Sequence, residues 1–490
     1  TAGTVTGLGN EALTISDTGS ITSEDLNDLN ILTTGVVTVT NVTTVEGTLS
    51  ELLSSYSESN IAGVISGLSD EAITVTDTGA VSAADLSTLD GKTTGTVTVN
   101  AGTITGSYDD IVTAYAAAGL SGLGDEAITI TGSVTVAEAN AVNALTTGVV
   151  TATISATDMD SLDDITGTGA YTITVADTSV SAASLTALNA KTTVDVIVSS
   201  ATVTGTATEI DAAYDATGFT GLASEALSVN SGTASVSEVN TLGAHTTGVV
   251  TATVTEGDMT TLAGITETGN ALSVTVTDTS VSANALTALD GKTTVAVDAS
   301  AVSTLTGTET EQLAAYAAHR DGTITGLDSS FDAASYLASH ADLLRSFTKA
   351  SVKSYFFDFG IAEGRALDTF DESSYLASYT DLLAYYGTDT SSVTTHYVDF
   401  GYSEGRSADA FDELGYVASY ADLIEYIGVD ATTSVSHYIN FGYGEGRSVT
   451  FDAESYLDAN ADLKAFIQDD LELAKKHYIL HGADEGRLIA

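Results

Sequence analysis

The chain has 490 residues, with 66 Asp and Glu against 14 Lys and Arg, a formal net charge of −52, and no Cys, Pro or Trp. The lack of Cys excludes a disulfide scaffold, thiol catalysis and Cys-ligated zinc or iron–sulfur sites. The charge argues against nucleic acid or an anionic membrane surface as a partner. No apolar run approaches the ~18 residues of a membrane-spanning helix, so membrane insertion is not expected. At 43% hydrophobic and 16% charged residues the chain can bury a large core, unlike a disordered acidic tail. It opens Thr1-Ala2-Gly3, with no Met and no charged segment before an apolar stretch. This reads as a mature or excised segment whose targeting signal is not displayed.

Residues 1–330 carry only four cations, Lys92, Lys191, Lys292 and Arg320, against 39 carboxylates. In this part a short string recurs, at Thr33-Thr34-Gly35, Thr93-Thr94-Gly95, Thr146-Thr147-Gly148, Thr192-Thr193-Val194, Thr246-Thr247-Gly248 and Thr293-Thr294-Val295. An alternating run such as Ala72–Thr76 precedes the string, followed by a Ser-led Leu-x-x-Leu segment such as Ser82…Leu86…Leu89. A second alternating run (Thr96–Val99) and a second capped segment (Ser107–Tyr115) close the unit. Period-two Val, Ile and Thr predict strands, and a hydroxyl ahead of Leu-x-x-Leu predicts a helix start. Each unit therefore reads strand, helix, strand, helix. Six units make twelve coils of roughly 23–30 residues, a length typical of solenoids, and such connections favour parallel pairing with right-handed crossovers. Residues 1–328 are expected to form a right-handed β/α solenoid with a parallel sheet. Paired interior strands leave no place for Pro, although its absence from the turns has no such reason. The turns use Asp17 and Asp77 in Asp-Thr-Gly, and Asp177 and Asp278 in Asp-Thr-Ser. An Asp bonding its own backbone is the simpler reading of these; a row of ion ligands is the alternative.

From about residue 329 the aromatics become frequent and the period becomes about 40 residues. Phe331-Asp332, Phe370-Asp371, Phe411-Asp412 and Phe451-Asp452 open four units, and Tyr336, Tyr375, Tyr416 and Tyr456 follow five residues after each Phe. His396-Tyr397, His437-Tyr438 and His477-Tyr478 come late in the last three units, where the first has Tyr355-Phe356. Glu363–Arg365, Glu404–Arg406, Glu445–Arg447 and Glu485–Arg487 close them as Glu-Gly-Arg. With Asp as N-cap, Phe and Tyr fall at the two positions of a hydrophobic staple, and the closing Gly fits a left-handed helix end. Residues 329–490 are expected to be an all-α domain of four repeats with about two helices each.

At these residues a resemblance arises. The Phe-Asp…Tyr-Leu…Asp-Leu…His-Tyr…Glu-Gly-Arg pattern resembles tandem repeats of large secreted bacterial surface proteins. Phrases such as Val180–Leu188 are similar to repeats in giant surface proteins of marine bacteria and cyanobacteria, some S-layer-like and some adhesin-like. The resemblance covers most of the chain. It implies a secreted, cell-surface protein working in calcium-rich media, and brings no catalytic signature.

Calcium is the cofactor to weigh, since carboxylates without cations suit a hard ion. The densest cluster is Asp158, Asp160, Asp163 and Asp164. The matching segment two units later keeps only Asp258, so helix capping and a solvated surface are the simpler account of the four. The three repeat histidines read as structural hydrogen bonds rather than metal ligands, and the Glu-Gly-Arg charges as ion pairs between repeats at helix ends. The sequon Asn41-Val42-Thr43 is a chance-level match. Residues 1–318 offer only His245 and three lysines beside a plausible base, so no enzyme is expected.

Two function classes follow. One is an extracellular structural protein that self-assembles with its own copies into a surface layer or filament, aided by a first strand unit (Ala12–Ile15) with no polar cap before it. The other is an adhesin segment gripping a cell-surface glycan or lipopolysaccharide through Tyr379, Tyr385, Tyr386, Tyr420 and Tyr426. Packing of these tyrosines between helices is the simpler reading.

Overall fold

The computed structural model describes residues 8–57 and 65–489; the opening Thr1-Ala2-Gly3 lies outside them. Two compact units are present. The first comprises Thr1–Glu256, Gly264–Val274 and Lys292–Val295, and the second Gly257–Ala263, Thr275–Gly291 and Ala296–Ala490. The change of composition near residue 329 falls inside the second unit. Among the described residues no helix is long and apolar enough to cross a membrane.

Among the described residues every strand pair is parallel. The first unit holds five sheets of three or five strands, and the second unit two pairs, Ser280–Ser282 with Thr304–Thr306 and Val297–Asp298 with Ile324–Thr325. Partners lie one coil apart in sequence, from 19 residues (Thr151 beside Ala170) to 28 (Val45 beside Ile73). The alternating pattern sets the register: Ile73 and Val97 are opposite one another and fully buried, whereas the neighbouring Thr74 and Thr98 are half-buried.

A helix follows in each coil, twelve in all among the described residues between Ser23 and Asp321. Each begins at a Thr, Ser or Asp whose side chain accepts the N–H three residues on, for example Ser82 from Asp85 and Thr206 from Glu209. That bond satisfies a donor the helix cannot. Six of these starts add the reciprocal half of a capping box, such as Ser235 with Glu238. The Leu-x-x-Leu residues face inward; Leu86, Leu185 and Leu286 have no exposed surface.

Beyond Phe331 the chain is helical. The caps fall as expected on Asp332, Asp371, Asp412 and Asp452, and each Phe meets its Tyr at 5.5–5.7 Å between ring centroids. The closing glycines Gly364, Gly405, Gly446 and Gly486 have φ between 64° and 78°, as a left-handed helix end requires.

The expectation of two helices per repeat needs correction. The later repeats have three helical segments, for example Glu413–Ala418, Ala421–Tyr426 and Ala431–His437, and the third runs on through a π-turn, Tyr438–Gly442. The staple tyrosine accounts for the glycine there: a Cβ on Gly442 would lie 2.0 Å from the Tyr416 hydroxyl. Repeats are joined at serines ending the first helix. Ser419 Oγ accepts the N–H groups of Thr450 and Phe451 at 2.8 and 2.9 Å, at the start of the next repeat.

Candidate functional site

The recurrent threonine is a latch between coils. Thr246 Oγ1 donates to the Glu225 carbonyl at 2.6 Å and accepts from the Gly248 N–H at 2.9 Å. Thr93 and Thr146 do the same with Glu71 and Glu126. The third position follows from space. A Cβ on Gly148 or Gly248 would lie 2.4 or 2.3 Å from the carbonyl of Glu126 or Glu225. Where the threonine instead grips Tyr171 or Leu272, the third residue is Val194 or Val295. The glutamates are themselves buried. Glu225 accepts the N–H groups of Ala223 and Ser224 and the Tyr214 hydroxyl at 2.8–3.1 Å, and Glu126 is held the same way by Gly124, Asp125 and Tyr115. Burial, and then the adjacent carboxylate, push both Tyr hydroxyls well above the usual phenol range.

The turn aspartates act across coils rather than on their own backbone. Asp77, Asp177 and Asp278 accept the first helical N–H of the preceding coil, from Leu49, Met159 and Met259, at 2.6, 2.9 and 2.7 Å. Of the candidate calcium ligands, Asp158 caps the helix Met159–Leu162 by accepting from Ser161 N at 2.9 Å. Hydrogen bonds from Ser161 hold its carboxyl below the usual range. Asp160, Asp163 and Asp164 are exposed. No three of these four bring ligand atoms within 4.8 Å of one another; among the described residues only Asp211, Asp215 and His245 do so.

The repeat histidines serve the core. Nδ1 of His396, His437 and His477 lies 2.9–3.0 Å from the buried hydroxyls of Tyr375, Tyr416 and Tyr456. The first repeat, with Tyr355 in place of His, leaves the buried Tyr336 hydroxyl unpartnered. Each closing arginine turns back on its own repeat, not on the next. Arg406 meets Glu404 and Asp381 at 2.7 Å and lies over the Tyr379 ring, 4.8 Å from its centroid. The left-handed glycine reverses the chain and sends the guanidinium back over the second helix of the same repeat. The arginine's hydrogen bonds hold Asp381 below the usual carboxylate range.

The five candidate tyrosines separate into two groups. Tyr379 and Tyr420 are half-buried, accepting the N–H of Ser407 and Ser448 at 2.6 and 2.8 Å, and Tyr386 packs edge-on against His396. Tyr385 and Tyr426 are 81% and 80% exposed, and Phe466, at the matching place in the fourth repeat, is 84% exposed. A second row matches them, with Phe359, Phe400 and Phe441 at 56–59%. Within the second repeat Tyr385, Tyr386, His396 and Phe400 form a continuous strip, with successive centroids 4.7, 6.0 and 5.9 Å apart. Sequence reasoning named Tyr385 and Tyr426 but missed Phe466 and the row of Phe359, Phe400 and Phe441; their signal was their place in the 40-residue period. A solvent-facing ring repeated in this way offers flat apolar area to a partner that itself repeats. A surface groove lined by residues including Thr135, Asn140, Ser161 and Asp164 gathers no such set.

No family model matches the chain, and no curated protein or solved structure was found to be similar to it.

Proposed function

We propose that the chain is a secreted structural protein, not an enzyme, in which a right-handed β/α solenoid carries a block of helical repeats and copies assemble into a surface layer or filament. The observation that carries the reading is the recurrence of exposed rings at one place in successive helical repeats, Tyr385, Tyr426 and Phe466. A partner that matches one repeat matches the next, and further copies of the same molecule are such a partner. Calcium belongs to the proposal. With a net charge of −52, copies repel unless cations lie between them, and Asp160, Asp163 and Asp164 offer exposed carboxylates for this. Electron microscopy of the purified chain with calcium is expected to reveal ordered sheets or fibres that EDTA dissolves. Single particles at every concentration would refute it.

A second reading has its own observation. Tyr385 and Tyr426 present ring faces to solvent, the geometry for stacking on sugar rings, which favours a glycan-binding adhesin. Binding of surface polysaccharide or lipopolysaccharide by the full chain, lost on substituting these rings and unaccompanied by assembly, would favour it over the first reading.

A further inference from the structure

Residues 1–318 contain one histidine, His245, and it stands between two carboxylates. Asp211 and Asp215 lie one turn apart on the helix Ala207–Asp215, and His245 ends the neighbouring helix Val236–His245. Its Nε2 is 2.8 Å from Asp211 Oδ1 and 4.0 Å from Asp215 Oδ1. One donor atom from each of the three falls within 4.8 Å of the others. The Tyr214 ring lies 5.3 Å from the imidazole and tilted 30° to it, so the ring is held on one side. The Asp215 side chain is 73% exposed, so solvent reaches the cluster. Among the described residues no Lys or Arg is paired with either carboxylate.

The repeat supplies an internal comparison. Tyr115, Glu126 and Thr146 form the same latch two units earlier as Tyr214, Glu225 and Thr246. Counted from these anchors, the places of Asp211, Asp215 and His245 are held there by Val112, Ala116 and Leu145. The coil architecture therefore needs none of the three polar groups, yet all three stand together here.

We infer that Asp211, Asp215 and His245 form a binding site for a borderline divalent transition ion such as Zn²⁺. One nitrogen and two carboxylate oxygens suit such an ion, whereas calcium takes oxygen ligands. Solvent fills the remaining positions. On binding, the imidazole nitrogen now facing Asp211 becomes a ligand, and any proton it carries passes to water. The rigid pairing of two latched helices pre-positions the ligands.

The test is Zn²⁺ calorimetry on the full chain in calcium-containing buffer, comparing the native protein with Asp211→Val/Asp215→Ala/His245→Leu, which installs the earlier repeat's residues, and with His245→Gln alone. Native protein is expected to show one tight site with proton release, and both variants to lose it while keeping their thermal midpoints in metal-free buffer. Copper(II) paramagnetic resonance is expected to show coupling to one nitrogen, lost in His245→Gln. Equal Zn²⁺ affinity and stoichiometry in all three proteins, nitrogen coupling that survives His245→Gln, or no tight site in the native chain would overturn the inference.

Discussion

At the scale of single residues, one hydroxyl between coils does the work of two hydrogen bonds. Thr246→Val keeps shape and removes both, leaving the Gly248 N–H without its acceptor. We expect a loss of about 1–3 kcal/mol, read as a lowered thermal midpoint. Gly148→Ala drives a Cβ against the Glu126 carbonyl and should cost a similar ~1–3 kcal/mol through overpacking. Val194→Gly, at a place where the side chain is accommodated, should cost less than either. An unchanged midpoint for Gly148→Ala would show that the coils are looser than this spacing implies. Charge acts at this scale too. Arginine pairing lowers Asp381, Asp422 and Asp462, and cap hydrogen bonds lower Glu209 and Glu311. A carboxylate lowered on folding adds stability above its unfolded pKa and loses it as pH falls through the folded value. In ~1 M salt, where self-repulsion is screened, the thermal midpoint should be level above about pH 5 and fall below about pH 4. A midpoint that climbs steadily on acidification would mean that these bonds contribute less than relief of the remaining repulsion.

At the scale of elements, the helical repeats contain their own control. Tyr416 is buried with its hydroxyl against His437, and burial raises its pKa to about 12. Tyr336 is equally buried without that partner. Tyr416→Phe should therefore cost about 1 kcal/mol, whereas Tyr336→Phe should be neutral or stabilising, as measured by chemical denaturation. Equal losses at the two sites would refute the assignment of the histidines to the core. Helix starts and strand faces were legible in the sequence because they depend on neighbours three residues away or on alternation: Ser82, Ser107 and Asp332 cap as expected. The π-turns were not, and the glycine in each answers to a residue far back in the chain: the Tyr416 hydroxyl, 26 residues before Gly442, takes the space above that glycine. The cross-coil role of Asp77, Asp177 and Asp278 was hidden for the same reason, since their donors lie a coil away.

At the scale of the whole molecule, repetition turns local features into rows. The sequence named Tyr385 and Tyr426 and favoured packing for them; it could not show that Tyr379 and Tyr420 take the packed places and leave the other two outside. Nor could spacing reveal Asp211 and His245 as neighbours, because 33 residues of chain intervene before the helix Val236–His245 returns beside the helix Ala207–Asp215. The fourfold helical period also supplies a conservative variant for testing the exposed rings. The first repeat carries Ser346 where the others carry Tyr385, Tyr426 and Phe466, so serine is compatible with that position. Sedimentation velocity over a concentration series in calcium, on the native chain and on Tyr385→Ser/Tyr426→Ser/Phe466→Ser, reads whether the exposed rings drive self-assembly. Native protein is expected to grow into large species with concentration, and the triple variant to stay monomeric with an unchanged thermal midpoint. A native chain that remains a monomer throughout, or a triple variant that assembles as well as the native chain, would contradict ring-driven assembly.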